Sequence, residues 1–348
     1  MRFIGYSLLL SLPFLSLSAE EKDLIPCSWQ SKMRANALKK IDKTFEFLFP
    51  YATLLYSVDI SMPPQIFYNP FKECHLFAKE HGYFSEETPL VGKVTTSKED
   101  IQKTMQILAF IDQKLTGEHR FHAIGEVLAK VLGYRDLQKN MELLLPAFSL
   151  KEEKKLILYQ VDQVFNLWGG MPAFGLVPKE KGAASPLLIF RGTDTSLEMT
   201  RGWASILSDF DVKGPGFSVF LRIQPELHDW LRKVSLNGKK TQVLGFSLGA
   251  TLAAYTVLYE KDLVSDNMSE PSMAFSLPGV SLENYNKWNA LEKPPAFSVC
   301  LSQGDFVARV GYLFGDLHVC WLDAPMRPIE AHNALTSFSP KSYIAPGK

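Results

Sequence analysis

TQVLGFSLGATLAAY, Thr241 to Tyr255, decides the fold. Its β-type start, Gln242-Val243-Leu244, breaks into Gly245-Phe246-Ser247-Leu248-Gly249, and a small-residue helical pattern from Ala250 to Tyr259 follows at once. A serine at so sharp a strand-to-helix turn needs strained backbone, so its neighbours two positions either side must lack bulk. Gly245 and Gly249 meet that need. The turn lifts the Ser247 hydroxyl clear of a sheet, and the helix aims its N-terminal dipole and free N–H groups at any anion forming there. The Leu248 N–H is then one half of an oxyanion hole. G-x-S-x-G alone is a weak pattern; the strand before it and the helix after it give it weight.

A chain of 348 residues can bury a large core, as one large domain or two of moderate size. Lys plus Arg equals Asp plus Glu, 37 against 37, so no global field favours nucleic acid. The start reads Met1-Arg2, an apolar run from Phe3 to about Leu17, then Ser18-Ala19 before Glu20-Glu21-Lys22. A short positive region, an apolar stretch and small residues describe a secretory signal peptide over residues 1–19. The run is interrupted by Pro13 and falls short of the roughly 20 residues of a spanning helix, so cleavage is expected rather than anchoring. The expected destination is outside the cytoplasm, secreted or periplasmic. Four cysteines remain, Cys27, Cys74, Cys300 and Cys320. An exporting route permits disulfides, Cys27 with Cys74 and Cys300 with Cys320, while four buried thiols is the alternative. Neither C-x-x-C nor H-E-x-x-H spacing occurs, so no metal site and no cofactor are expected.

From Ser31 to Leu156 the pattern is helical. Met33, Ala37, Ile41, Phe45 and Leu48 recur at helical spacing up to Pro50, and Pro63-Pro64 and Pro70 break the chain. Ser97 with Asp100 predicts a cap for a helix carrying Ile101, Met105, Leu108 and Leu115. Further helices are predicted over Ile124 to Leu132, stopped by Gly133, over Asp136 to Leu145, stopped by Pro146, and over Lys151 to Leu156. His75, His81, His119 and His122 lack metal spacing, and the stretch 20–156 reads as a helical accessory or cap region. After Leu156 the text changes: Val161 to Phe165, Ala173 to Val177 and Leu187 to Phe190 read as strands, and helix then alternates with strand to the end. That alternation predicts an α/β sheet domain over residues 157–348.

Phe190-Arg191-Gly192-Thr193, taken with Gly245-Phe246-Ser247-Leu248-Gly249, resembles the class 3 lipases, the fungal-type triacylglycerol lipase family with an α/β-hydrolase fold. Trp203 before Ser208-Asp209-Phe210-Asp211, Gly216-Phe217, and Met273-Ala274-Phe275-Ser276-Leu277-Pro278 are similar to further family segments. The resemblance covers roughly residues 157–340. It implies a central sheet with helices on both faces, preceded by the mainly helical N-terminal region. It also implies Thr193 as the second half of the oxyanion hole. One departure stands out, since the family usually has histidine where this chain has Phe246.

A nucleophilic serine needs a base, and the base an orienting carboxylate. In this fold they follow the serine in the order acid, then histidine. Asp305 leaves the strand Phe297 to Leu301 at its C-terminal edge, with Asp316 and Asp323 as alternatives. Two histidines follow Ser247, His318 and His332. The resemblance implies Asp305 as the acid and His332 as the base. It also places a lid helix at 194–207, where Leu197, Trp203, Ile206 and Leu207 would cover the serine; an ordinary surface helix is the alternative. The expectation is an exported serine hydrolase acting on carboxylic esters of lipids through an acyl-enzyme, with transient contact with a lipid surface. Phospholipase A or acyltransferase chemistry on the same residues, and a non-catalytic lipid-binding protein that keeps the fold, are the competing readings.

Overall fold

Four segments leave no polar face to the water. Leu187–Phe190 (β4), Gln242–Phe246 (β7), Ser272–Phe275 (β8) and Phe297–Ser302 (β9) are buried at every position. Such strands belong in the interior of a sheet covered on both sides. They run parallel in the order β4, β7, β8, β9 and continue into β10 (Asp316–Leu322). Antiparallel strands extend the sheet at both ends. β1 (Glu142–Pro146), β2 (Leu156–Asn166) and β3 (Pro172–Pro178) lead into β4, and β11 (Ser342–Pro346) flanks β10, for nine strands in all. A separate ribbon joins β5 (Phe210–Asp211) to β6 (Gly214–Pro215).

The structure, a computed structural model, describes residues 73, 76–77, 80, 97–151, 154–167, 172–192, 210–211, 214–236, 238–302, 305, 307, 311–322, 328–338 and 342–346. The chain divides into two compact units, Met1–Pro50 and Tyr51–Lys348, and the first lies outside the described residues. So do the expected leader, the helical pattern from Met33 to Leu48, Cys27, Cys74, Thr193, Asp323 and the proposed lid helix at 194–207. Among the described residues no helix is long and apolar enough to cross a membrane.

The two sheet faces take alternate residues. Leu187, Ile189, Leu244, Phe246, Met273 and Phe275 pack with α1 (Lys98–Lys114) and α2 (Gly117–Lys130). Leu188, Phe190, Val243, Ala274 and Val299 pack with α3 (Phe217–Ser235), α4 (Leu248–Tyr259) and α5 (Leu282–Asn289). Each strand thus serves both layers, as the period of two requires. Ser97 caps α1 by accepting the Glu99 N–H at 3.2 Å, one residue earlier than the Ser97–Asp100 pattern implies.

Arg120 ties this layer together. Its guanidinium donates to Asp112 of α1 and, at 2.9 and 3.0 Å, to the carbonyls of Ala147 and Ser149 at the end of β1. Two helices and a strand therefore share one buried cation.

Two expected helices are corrected. Glu142–Pro146, which takes in the last four residues of the helix predicted over Asp136 to Leu145, is a strand. Three consecutive leucines favour helix locally, but pairing overrides propensity: Leu143 faces Tyr159 and Leu145 faces Ile157 across β2. Leu143 and Leu145 are fully buried and Leu144 is 46% exposed, the alternation of a half-buried edge strand. Likewise Leu156 opens β2 rather than ending a helix. The Ser149 hydroxyl accepts the Lys151 N–H at 3.1 Å in a local turn that competes with helix start. The expected link between Cys300 and Cys320 is also absent: both are free, buried thiols. Cys300 pairs with His318 and Cys320 with Ser302 in the β9–β10 register, so the two cysteines are staggered along neighbouring strands.

Strand alternation makes a sharp prediction for neighbouring leucines. Leu143→Ala should cost about 2–5 kcal/mol in urea unfolding, and Leu144→Ala within about 0.5 kcal/mol of nothing. Equal losses at both sites would contradict the strand.

Candidate active site

At the end of β7 the backbone of Ser247 takes φ 56° and ψ −125°, a conformation that L residues other than glycine rarely adopt. The close approach of α4 to β7 permits no side chain on either flank. A Cβ on Gly245 would collide with the Gly249 carbonyl, and one on Gly249 with the Phe190 carbonyl of β4. The Ser247 N–H donates to the Phe275 carbonyl of β8 at 3.0 Å, which fixes the turn against the neighbouring strand. Leu248 is the first residue of α4, so its N–H is one of the four that have no intrahelical acceptor.

Two further residues meet the serine from the C-terminal part of the chain. His332, in the short helix α6 (Pro328–Asn333), brings Nε2 to 2.9 Å from the Ser247 hydroxyl. Its Nδ1 lies 2.9 Å from Oδ2 of Asp305. A carboxylate at Nδ1 fixes the tautomer: Nδ1 carries the proton and Nε2 offers its lone pair to the serine. The other Asp305 oxygen accepts the Val307 N–H at 2.9 Å. Burial alone would raise the Asp305 carboxyl, but the charge and hydrogen bond of His332, together with Ser276 and the Val307 N–H, bring it below its ordinary value. Ser247, Asp305 and His332 are 3%, 2% and 3% exposed.

The structure thus brings Ser247, Asp305 and His332 together and leaves Asp316 and His318 aside, Asp323 lying outside the described residues. Asp316 opens β10, at the opposite edge of the parallel strands, and it is His332 rather than His318 that meets Ser247. The placement of Thr193 lies outside the described residues. Its neighbour Arg191 is buried and donates to the carbonyls of Gly133 and Arg135, both at 2.8 Å, so the end of β4 is pinned to the turn after α2. Among the described residues no group of three His, Cys, Asp or Glu could hold a metal ion.

Sequence reasoning missed Ser276. It follows β8 with φ 52°, another strained non-glycine residue at the same sheet edge. Its hydroxyl lies 3.3 Å from the His332 carbonyl and also contacts the Asp305 carboxylate. A hydroxyl with one proton at that point couples the acid to the backbone of the histidine. The only trace in the sequence is a serine before Leu277-Pro278 after an apolar strand.

A mainly parallel sheet with helices on both faces, and a strained serine at a strand-to-helix turn with an aspartate and a histidine following in that order, are the features of the α/β-hydrolase fold. Among solved structures, the chain is similar to a fungal lipase–inhibitor complex described as a model for interfacial activation, with 15% identity, 52% of this chain and 82% of that one covered, and a TM-score of 0.41. A mutant protein from Penicillium cyclopium overlaps at 15% identity, 66% and 83% coverage and a TM-score of 0.39. Another fungal lipase overlaps at 16% identity, 73% and 88% coverage and a TM-score of 0.39. No family model and no curated protein matches the chain. Overlaps this shallow leave the fold to rest on the strand order and the serine turn themselves.

Beneath the histidine lies a second polar group. His122 of α2 meets Thr336 Oγ1 at 3.1 Å and is wholly buried. Burial lowers it to about 4, with Lys130, His318 and His119 acting in the same direction and Glu126 opposing. A base held below its unfolded value binds fewer protons in the native state, so stability rises with pH between about 4 and about 6.5. The native state should therefore lose roughly 3 kcal/mol across that window as pH falls. Urea unfolding at stepped pH checks this; His122→Gln should reduce the slope, to which His119 and His318, also lowered by burial, add in the same direction, and an unchanged slope would contradict it.

Proposed function

We propose that the chain is an exported serine hydrolase that cleaves carboxylic esters of lipids. The observation that carries the reading is the unbroken series from the Ser247 hydroxyl through the His332 imidazole to the Asp305 carboxylate, with both hydrogen bonds at 2.9 Å. His332 Nε2 takes the Ser247 proton as the oxygen attacks the ester carbonyl. The Leu248 N–H at the start of α4, with Thr193, holds the oxyanion, and the helix dipole adds to that field. The imidazolium, oriented and stabilised by Asp305, then gives its proton to the departing alcohol. Water repeats the sequence against the acyl-enzyme, and Ser247 is restored. No metal or cofactor has a step in this chemistry. The lipid character of the substrate is supported by the sequence resemblance, FRGT followed by GFSLG, and export by the leader-like pattern of residues 1–19.

A p-nitrophenyl ester series from acetyl to palmitoyl, monomeric and in micelles, tests the reaction. Ser247→Ala and Asp305→Asn should each lower kcat by about 10⁴-fold or more. Loss of one oxyanion donor, through Thr193→Val, should cost about 10²–10³-fold. Turnover in Ser247→Ala within twofold of the unaltered chain would sink the proposal, and a purely lipid-binding protein would hydrolyse none of the series.

A further inference from the structure

Lys130 ends α2, and with Glu126 one turn earlier it forms an ion pair buried beneath the candidate site. The ammonium donates to Glu126 Oε1 at 3.1 Å and to the Ala334 carbonyl at 2.6 Å. It also sits 5.3 Å from the centre of the Phe246 ring and 5.7 Å from that of Phe275. Glu126 accepts three bonds from the turn that follows His332: the Thr336 N–H at 2.8 Å, the Thr336 hydroxyl at 2.9 Å and the Ser337 N–H at 2.8 Å. One pair therefore touches the chain at Phe246, next to Ser247, at Phe275, next to Ser276, and at Ala334, Thr336 and Ser337, two to five residues after His332.

A buried ion pair contributes little to stability beyond what packed apolar side chains would, because desolvation offsets the attraction. What this pair supplies is direction. An apolar α2 could cover the same sheet face, but it could not hold the carbonyl of Ala334 and the N–H groups of Thr336 and Ser337 at once. Phe246, which replaces the histidine usual in the resembling family, gives the ammonium an aromatic face instead of a competing base.

We infer that Lys130 and Glu126 are positioning residues that set His332 at hydrogen-bonding distance from Ser247 through the 334–337 turn. The inference rests on the hydrolase reading above. It also gives α2 a function: the helix carries the clamp that holds the histidine.

Lys130→Met in the full chain keeps the stem and removes the ammonium. Its kcat on a soluble ester should fall by about 10²-fold, the loss expected for a reacting group misplaced by about 1 Å, with KM within about twofold. Glu126→Gln keeps one acceptor oxygen and sets an NH2 group against a donor of the turn, so it too should lower kcat. Ile124→Ala, on the same helix but with a side chain that can hydrogen-bond to neither the turn nor the ion pair, should lower the melting temperature and leave kcat unchanged. The low-field proton resonance of the His332–Asp305 hydrogen bond should weaken in Lys130→Met and persist in Ile124→Ala. Wild-type kcat and an intact resonance in folded Lys130→Met would overturn the inference. Should that variant fail to fold, Thr336→Val, which removes one of the Glu126 bonds, must still lower kcat about tenfold, and an unchanged kcat there overturns it as well. If the unaltered chain hydrolyses no ester, the hydrolase reading fails instead, while the resonance in the folded variants still reports whether the clamp orients His332.

Discussion

A single serine held at φ 56° between two glycines is the constraint around which this molecule is arranged. A left-handed φ at a β-carbon-bearing residue costs about 1–3 kcal/mol and persists only where the surroundings fix it. Here the fixing is explicit. β7 and α4 come so close that neither Gly245 nor Gly249 has room for a methyl group, and the Ser247 N–H is engaged by the neighbouring strand. The strain aims the hydroxyl out of the sheet edge and starts a helix at the very next residue. Nucleophile and anion-binding N–H groups thus come from one local event.

Everything else approaches that point from the two layers on the sheet. The parallel strands, apolar on both faces, carry Ser247, Ser276 and Asp305 to the same edge. The face covered by α1 and α2 contains the charged cluster, and the opposite face, covered by α3, α4 and α5, is aromatic and aliphatic. The asymmetry has a physical sense. The layer of α4 must let the helix that begins at Leu248 lie flat on the strands, whereas α2 reaches beneath His332 with Glu126 and Lys130 and, through Arg191, holds the turn at Gly133 and Arg135 against the end of β4.

The serine turn and the alternation of strand and helix after Leu156 were legible in the sequence because each depends on local spacing; Asp305 and His332 came from the family resemblance and the order along the chain, and the structure sets both in line with Ser247. Where legibility failed, the cause was long-range. β1 reads as helix because Glu142-Leu143-Leu144-Leu145 is a good helical string, and only its pairing with β2 makes it a strand. Glu126 and Lys130 look like an ordinary i, i+4 surface pair, and nothing nearby reveals partners more than two hundred residues away. Ser276 hides in an apolar strand end, since its value comes from the positive φ and from the two groups that meet its hydroxyl. Glu126 and Lys130 carry no motif for the same reason: they hold the 334–337 turn rather than react.

The most direct test of the central claim, that Ser247 is activated by His332, is reaction of the purified chain with a fluorophosphonate followed by peptide mass mapping. The account predicts one adduct, on Ser247, that forms in the folded protein and does not form when the chain is denatured before the reagent is added. No adduct in folded protein with detergent present, or adducts spread evenly over other serines, would contradict it.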